Sequence, residues 1–291
     1  MLAIIIPYFK INFFEKTLES LAQQTDQRFQ VYIGDDASPN APTELLEKYQ
    51  GKFNFTYKRF KDNLGSVSLV KQWERCIAMM QEEEWLMILG DDDVLGGNVV
   101  ETFYENLDIL YDINVVKYSQ CLIDESGKNI TPFTKYPKIN KVYDLWLKKV
   151  DFRTRSSLSE HIFRTSIFKK YNFREYPLAW TTDDMMVFEI KEFKNILFMD
   201  GSKVFVRVTS QSISGTNDNI NLKNYAWYLY YKDILTDYWH KIPNSDFRFL
   251  SLRFKYYAKL SKKPFDEIFI LKKFFAKHNY LEYLKYLLHK F

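Results

Sequence analysis

The chain has 291 residues, of which 46% are hydrophobic and 27% are charged, with only 9 glycines and 8 prolines. This composition excludes a disordered, collagen-like or low-complexity protein, and the length fits one large domain or a domain with an appendage. The net charge of +4 is uneven, because residues 241–291 contain 12 Lys and Arg against 4 Asp and Glu, whereas the first 240 residues contain 29 against 33.

Short apolar runs alternate with helical patterns over residues 1–122. The runs predict strands, in chain order, at 3–7, 29–34, 53–60, 85–89 and 115–122. Helical spacing predicts helices at 15–24, 42–50, 66–80 and 99–110. Strands that alternate with helices indicate an α/β fold with a mostly parallel central sheet. The later sequence is less regular, with a helix predicted at 182–193 and several helices after residue 220.

Three of the predicted strands end in polar clusters, at Pro7-Tyr8, Asp35-Asp36 and Asp91–Asp93. Ligands of parallel α/β sheets bind beyond the carboxyl ends of the strands, so these clusters mark a candidate site. Three consecutive aspartates repel one another unless they are neutralised, and Mg²⁺ or Mn²⁺ held by carboxylates and substrate phosphates would do this. The alternative is a solvated turn that caps the following helix.

The Asp35-Asp36 pair also has two interpretations. One is a turn of the Asx type with Ser38 and Asn40. The other is a carboxylate that accepts hydrogen bonds from a nucleotide base or from ribose hydroxyls.

Six segments carry a family pattern: IIIPYFK, VYIGDDASPN, NLGSVSLVKQWERCIA, WLMILGDDDVL, residues 160–184 followed by MMVFEI, and VRVTSQSIS. Their order and spacing resemble glycosyltransferase family 2, over about residues 1–215. The resemblance implies the Rossmann-like GT-A fold, with a mostly parallel central sheet flanked by helices. The helical pattern after residue 220 predicts a C-terminal helical extension. It predicts a GT-A domain over 1–220, with a nucleotide-binding half (about 1–122) and an acceptor half (about 123–220). Residues 221–291 form a basic, aromatic-rich helical region.

The resemblance implies that several residues contact the nucleotide of a sugar donor. Pro7 and Tyr8 match the end of the first strand, which lines the nucleotide pocket. Asp36 matches the residue that hydrogen-bonds the base, and Asp35 lies beside it. Lys71 takes the place of a family arginine that faces the donor, which implies a phosphate contact.

The resemblance also implies a metal site and a catalytic base. Asp92 matches the metal-binding aspartate of the DxD motif, with Asp93 as its neighbouring ligand, and Asp91 is expected to touch ribose or sugar. Asp184 matches the catalytic base, and Asp183 is the acidic residue before it. The pair would also cap the helix that begins near residue 185, and both roles are compatible.

Two positions depart from the family pattern. Gly90 replaces the first aspartate of DxD, so that metal binding rests on Asp92 and a neighbour. Thr209 stands where the family often has a histidine two residues after Arg207. Arg207 or Ser212 is expected to substitute for that histidine where the chain closes over the donor.

The resemblance implies a metal-dependent inverting glycosyltransferase of the hexosyl or N-acetylhexosaminyl type, with Mn²⁺ or Mg²⁺ as cofactor. It would move a sugar from a nucleotide diphosphate donor, with UDP as the expected carrier, to a glycan or lipid-linked glycan in bacterial surface polysaccharide synthesis. A non-catalytic nucleotide-sugar-binding or scaffold protein of the same fold is the alternative, and Gly90 and Thr209 favour it. A nucleotidyltransferase would need a glycine-rich basic loop after the first strand, where Tyr8-Phe9-Lys10 lies instead.

The sequence predicts a cytoplasmic location. Cys76 and Cys121 are too few for a disulfide framework, the first residues lack the basic region of a signal peptide, and no apolar run reaches about 18 residues. The basic C-terminal helices either pack on the catalytic domain or lie on the inner face of the membrane as a peripheral contact. No nucleic-acid partner is expected.

Overall fold

The computed structural model describes residues 1–111, 113–168, 170–191 and 195–288. The chain forms two compact units. The first comprises Met1–Arg174 and Thr182–Thr216, and the second comprises Glu175–Thr181 and Asn217–Phe291.

The first unit is built on a mixed sheet, which has nine strands within the described residues. They are β1 (Leu2–Tyr8), β2 (Phe29–Asp35), β3 (Phe55–Arg59), β4 (Trp85–Ile88), β5 (Val94–Leu95), β6 (Val115–Ile123), β7 (Ile139–Lys141), β8 (His161–Arg164) and β9 (Asn195–Arg207). Their order is β3-β2-β1-β4-β8-β6-β9-β5, and β7 pairs with β9. The pairs β1–β2, β1–β4 and β2–β3 are parallel, so these four strands end at one edge of the sheet.

Helices connect these strands. They are α1 (Phe14–Ala22), α2 (Thr43–Glu47), α3 (Leu69–Ile77), α4 (Val99–Glu105), α5 (Val142–Val150), α6 (Thr165–Phe168) and α7 (Thr182–Lys191). The α1 helix buries Phe14, Leu18 and Leu21, which recur at helical spacing, against the sheet. Strand β1 is buried along almost its whole length, which explains its continuous β-branched sequence.

The core of the first unit is apolar and fully enclosed. Leu2, Ile4 and Ile6 of β1 lie in one cluster with the buried residues of α1 and of the neighbouring strands. Burial of each such side chain contributes about 1.5–3 kcal/mol, before the entropy cost of ordering the chain. The result is a rigid support for the loops at the carboxyl edge of β1, β2 and β4.

The predicted α/β class is confirmed, and the predicted elements up to residue 122 all have counterparts in the structure. The antiparallel pairs were not predicted, and each of them contains β5, β7 or β8. The predicted helix at 99–110 is α4 followed by a 3-10 segment, Leu107–Tyr111. The predicted helix at 182–193 corresponds to α7, and residues 192 and 193 lie outside the described residues.

The second unit is helical. It contains α8 (Ile220–Asp237), α9 (Asn244–Leu260), α10 (Glu267–Ala276) and α11 (Tyr280–Leu287), with a short 3-10 turn at Pro177–Ala179. Aromatic side chains dominate its interior: the Trp227 ring stacks on Tyr231 and Tyr257, and Phe247 meets Phe274 edge to face. Among the described residues, no helix has the length and apolar character needed to cross a membrane.

Candidate active site

Asp35, the last residue of β2, is fully buried, and both of its carboxylate oxygens accept from protein donors. Its Oδ1 accepts from the Ser38 backbone N–H at 2.8 Å, and its Oδ2 accepts from the Tyr57 hydroxyl at 2.7 Å and from Arg59 Nη1 at 2.8 Å. Burial, with the hydrogen bond to Asp35, raises the pKa of Tyr57 to about 12. The contact with Ser38 is the turn contact expected from the sequence, so this carboxylate holds the end of β2 in place.

Asp36 anchors the loop before α3. Its Oδ1 accepts from the Leu64 N–H at 2.7 Å and pairs with the Arg75 guanidinium, and its Oδ2 accepts from the Gly65 N–H at 2.8 Å. A Cβ at Gly65 would lie 2.5 Å from Asp36 Oδ2, so the loop needs glycine to approach the carboxylate. A carboxylate has about four acceptor positions, and three of them are occupied here.

The sequence analysis did not identify Arg75 as a site residue. It lies on α3, one helical turn after Lys71, and its guanidinium stacks 4.0 Å from the centre of the Phe60 ring. The side chain of Lys71 is exposed, and it forms no hydrogen bond or ion pair within the described part of the chain. The helical spacing of four residues was the signal that could have directed attention to Arg75.

The end of β1 forms a wall of this edge. The buried Tyr8 hydroxyl donates to the Asn40 carbonyl at 2.6 Å, and its ring packs on Phe14 with centroids 4.6 Å apart. Burial, with the charges of Asp91 and Asp35, raises the pKa of Tyr8. Half-buried Pro7 pairs with Gly34 of β2 in the sheet. These contacts join the first polar cluster to the end of β2 and to the loop that follows it, and the charge of Asp91 also acts on Tyr8.

The three aspartates after β4 have different partners. Asp91 Oδ2 accepts from the Phe9 and Lys10 N–H groups at 2.7 and 2.8 Å, which fixes the loop after β1. Asp93 is buried, and it accepts from Ser159 Oγ at 2.5 Å and from the Arg207 N–H at 2.8 Å. The carboxylate of Asp92 has no hydrogen-bond or ion-pair partner within the described residues.

Steric packing explains why residue 90 is a glycine. A Cβ at this position would lie 2.8 Å from Asp93 Oδ2 and 3.2 Å from Asp92 Oδ1. A larger residue would therefore displace the two carboxylates that follow it. The departure from the family's DxD pattern makes room for this packing.

This cluster carries more negative charge than its surroundings neutralise. Burial, with the charges of Asp93 and Asp91, raises the pKa of Asp92 to about 8. Burial also raises the pKa of Asp93 to about 6, against the effect of its bonds to Ser159 and Arg207. Lys10 is a cation near Asp92, and its Nζ donates a hydrogen bond to the Gln211 carbonyl at 2.6 Å. A cation beside Asp92 would replace the proton that burial favours.

Arg207 and Ser212 are engaged with the protein backbone. Arg207 Nε donates to the Asp92 carbonyl at 2.9 Å, and its Nη1 donates to the Asp124 carbonyl at 2.7 Å. Ser212 Oγ accepts from the Thr209 N–H at 3.1 Å and donates to the Thr209 carbonyl at 3.0 Å. Both residues shape the segment after β9, and that segment reaches the loop after β1 through the bond from Lys10 to Gln211.

Asp183 and Asp184 lie in the first turn of α7. Asp184 is buried, and its Oδ2 lies 3.5 Å from the Nζ of Lys149 on α5. Burial raises the pKa of Asp184, and the charge of Lys149 opposes this effect. Burial, with the charge of Asp184, raises the pKa of half-buried Asp183 to about 7. The carboxylate nearer Lys149 is therefore better suited to remain ionised.

A buried charged cluster lies beside Asp184. Lys117 Nζ on β6 is 2.5 Å from Glu160 Oε1, 2.8 Å from Ser156 Oγ and 3.2 Å from His161 Nε2. Burial and the charge of Lys117 lower the pKa of His161 to about 3, so its ring is neutral. Asp184 lines a crevice of about 30 Å³ together with Lys117, Lys149 and His161, which is room for one water molecule.

Glu160 links the two acidic clusters. It follows Ser159, which binds Asp93, and its charge raises the pKa of Asp93 as well as those of Asp183 and Asp184. The structure thus brings Asp93 and the two aspartates of α7 near the same short segment, residues 159 and 160. Sequence analysis missed Lys117 and Lys149. The signal for Lys117 was a lysine in the middle of the apolar β6 run.

The chain matches a known protein family over most of this unit. The family profile described as Glycosyl transferase family 2 matches residues 3–176. No curated protein sequence is significantly similar to the chain.

Several solved structures have the same fold at low sequence identity. Residues 1–349 of TarS from S. aureus, crystallised with UDP-GlcNAc, match with a TM-score of 0.66 and 17% identity over 88% of this chain and 72% of that one. A mannosyltransferase, PcManGT from Pyrobaculum calidifontis in complex with GDP-Man and Mn²⁺, matches with a TM-score of 0.58 and 11% identity over 100% and 88% of the two chains. GalNAc-T7 with UDP, GalNAc and Mn²⁺ matches with a TM-score of 0.56 and 13% identity over 96% and 54%. The fold is the GT-A fold.

Proposed function

The chain belongs to glycosyltransferase family 2, and we propose that it is an inverting enzyme. It transfers a sugar from a nucleotide diphosphate to an acceptor hydroxyl. The observation that carries the proposal is the unpartnered carboxylate of Asp92. Its neighbour Asp93 is bonded to Ser159, and the next residue, Glu160, acts on the buried carboxylate of Asp184. One carboxylate would serve the donor and the other would serve the acceptor.

Asp184 is the proposed general base. The acceptor hydroxyl attacks the anomeric carbon, the bond to the diphosphate breaks, and Asp184 takes the hydroxyl proton. A single displacement from the face opposite the leaving group inverts the anomeric centre. Lys149, 3.5 Å from Asp184 Oδ2, opposes the rise in the pKa of Asp184 that burial causes, and would orient the carboxylate. Base assistance of this kind contributes about 10²–10⁴-fold to the rate.

Asp92 is the proposed residue for Mn²⁺ or Mg²⁺. Asp92 suits such an ion for two reasons. Its half-buried carboxylate has no partner among the described residues, and its pKa is raised to about 8. Among the described residues no three His, Cys, Asp or Glu side chains form a complete metal site, so the donor diphosphate would supply the other ligands. Both oxygens of Asp93 already have partners, and Asp93 would position Asp92. When bound, the ion neutralises charge on the leaving diphosphate.

The donor nucleotide would lie along the ends of β1 and β2. Asp36 has one acceptor position left for a base N–H, and Pro7 and Tyr8 would form the wall beside it. Asp91 orders the adjoining loop, where a ribose would approach, and exposed Lys71 would contact a phosphate. Asp35 would support the pocket from behind. Asp183, Arg207 and Ser212 would shape the closing side.

We propose UDP as the carrier, with a hexose or N-acetylhexosamine as the sugar. TarS crystallised with UDP-GlcNAc supports this choice, although PcManGT crystallised with GDP-Man. The acceptor would be a glycan or lipid-linked glycan of a bacterial surface polysaccharide, glycosylated in the cytoplasm.

Thermal unfolding and donor hydrolysis test this function together. UDP-sugars with Mn²⁺ should raise the melting temperature by mass action, and hydrolysis should follow Mn²⁺. Asp92→Asn should remove the Mn²⁺-dependent part of both effects. Asp184→Asn should keep the thermal shift and lose at least about 100-fold in transfer. Asp108→Asn, an equal change at an exposed aspartate, is the matched control.

A non-catalytic nucleotide-sugar-binding protein is the second candidate. The observation in its favour is that Arg207 and Ser212 bind backbone groups of their own chain. The wild-type chain would then show the thermal shift with a UDP-sugar and neither hydrolysis nor transfer.

The metal assignment has its own test. Unchanged donor affinity in Asp92→Asn, with and without Mn²⁺, would contradict it.

A further inference from the structure

The helix α11 exposes a continuous apolar surface. Tyr280, Leu281, Leu284 and Leu287 of this helix, with Leu288 directly after it, form what we call the leucine stripe. Leu281, Leu284, Leu287 and Leu288 are 66%, 56%, 51% and 80% exposed. At 3.6 residues per turn these positions cover roughly one third of the helix circumference. The opposite side holds Tyr286, which is buried.

The apolar surface continues onto α10. The ring of Phe275 is 49% exposed, and its centroid lies 5.2 Å from that of Tyr280. Ile268, seven residues before Phe275, is 65% exposed. Exposed Lys272 lies between them, at helical spacing from both. A basic residue thus adjoins the apolar surface directly.

The charge around this surface is positive. Residues 241–288 contain 11 Lys and Arg against 4 Asp and Glu. Each of the four acids is engaged locally. Asp246 accepts from Ser245, Asp266 accepts from the Phe269 N–H, Glu267 pairs with Lys255, and Glu282 pairs with Arg248 and Lys285. The acids are therefore occupied, and lysines such as Lys272 present their charge to solvent.

We propose that the leucine stripe, with Phe275 and Ile268, docks the chain on an anionic phospholipid surface. Leucines at helical spacing beside lysines match the two requirements of an interfacial helix, apolar burial and attraction to anionic headgroups. The exposed ring of Tyr280 suits the boundary between headgroups and acyl chains. This surface acts independently of glycosyl transfer, so the proposal goes beyond the proposed function.

Vesicle flotation of the full chain tests the proposal. We expect binding to phosphatidylcholine vesicles that contain about 30% phosphatidylglycerol, and at least tenfold weaker binding to phosphatidylcholine alone. Leu284→Glu with Leu288→Glu should weaken binding to the anionic vesicles at least tenfold. The matched control is Ile220→Glu with Leu222→Glu, two exposed apolar residues of α8, which should leave binding unchanged. Circular dichroism and the donor-induced thermal shift verify that each variant is folded.

A charge variant keeps the test independent of the leucines. Lys272→Glu changes one exposed side chain that adjoins the apolar surface and should weaken binding at least fivefold. Equal binding to neutral and anionic vesicles, or none to either, overturns the proposal. A second result would also overturn it: the wild-type chain sediments as a dimer and does not bind vesicles, and Leu284→Glu with Leu288→Glu converts the dimer to monomers. The stripe would then join two copies of the chain.

Discussion

The five buried or half-buried aspartates that follow β4 or lie at the start of α7 differ mainly in their partners. Asp91 and Asp93 accept hydrogen bonds that tie loops to the sheet, and Asp92, between them, accepts none within the described residues. Asp184 has the cation of Lys149 beside it, and Asp183 has the added repulsion of Asp184. Residues of one type in one sequence run thus acquire different chemistry from the groups that reach them. This division of roles was not predictable from the sequence, because the partners come from distant segments.

Lys149→Met should shift the pH dependence of the reaction. Asp184 is faced by Lys149 on α5, Lys117 on β6, Glu160 before β8 and its neighbour Asp183. An opposite charge at this distance lowers a carboxyl pKa by about 1–3 units, so its loss should raise the pKa of Asp184. The acid limb of the kcat/KM profile should move to higher pH by about 1 unit or more.

Lys149→Arg keeps the charge and should keep the acid limb in place. The matched control is Lys148→Met, which removes the neighbouring lysine of α5, whose Nζ lies over the Tyr136 ring. An acid limb that does not move in folded Lys149→Met would show that this ion pair does not tune the base.

Among the elements, three of the strands predicted from the sequence are recognisable because they are buried. β1 and β4 are almost wholly apolar and β2 is largely apolar, since both of their faces are covered. The predicted strand β3 is more exposed. β8 was missed, since it has four residues and begins with His161, whose burial depends on Lys117 and the Ser157 carbonyl. Lys117 likewise breaks the apolar pattern of β6 for a reason that only Glu160 explains.

The pair of Lys117 and Glu160 should contribute cooperatively to stability. It joins β6 to the segment before β8, and both side chains are buried. Lys117→Met leaves the Glu160 carboxylate uncompensated, and Glu160→Gln leaves the ammonium uncompensated. Removal of one partner of a buried pair costs about 3–5 kcal/mol. The free energy of unfolding, measured with urea, should fall by that order in each single variant.

The double variant Lys117→Met with Glu160→Gln should be more stable than either single variant, because it removes both charges of the pair and leaves neither one without its partner. Additive losses in this double-mutant cycle would contradict a coupled pair. The exposed pair Lys16–Glu19 on α1 offers the control, and its cycle should change stability by less than about 1 kcal/mol.

At the scale of the whole molecule, the two units use charge in opposite ways. The first unit concentrates carboxylates at one edge of its sheet, where burial raises their pKa values. The second unit occupies its acids with internal partners and leaves basic side chains exposed. The sequence showed this asymmetry in its composition. The composition did not show that the carboxylates of the first unit lie close together with too few cations to neutralise them. That arrangement depends on the packing of four chain segments.

The excess of buried carboxylates predicts a stability that declines as pH rises. The folded-state pKa values of Asp93, Asp183 and Asp92 are about 6, 7 and 8, whereas an unfolded aspartate has about 3.9. The folded chain therefore binds more protons than the unfolded chain between these limits, and each proton bound stabilises the fold. That contribution is complete below about pH 4 and is lost progressively as pH rises from there to about 8. Glu160, whose pKa is lowered, acts in the opposite direction only at lower pH.

Thermal unfolding in the presence of a chelator should thus show a melting temperature that falls between about pH 6 and pH 8. Asp92→Asn needs no proton to stay neutral, so at pH 8 it should melt about 2–4 °C above wild type and show a shallower decline. Mn²⁺ with UDP should flatten the wild-type decline, because the cation takes the place of the proton, and should leave Asp92→Asn unchanged. Asp108→Asn should follow wild type throughout. A melting temperature that stays level or rises over this interval would mean that the aspartates after β4 and at the start of α7 are ionised without cost, and the argument for a cation at Asp92 would then lose its electrostatic basis.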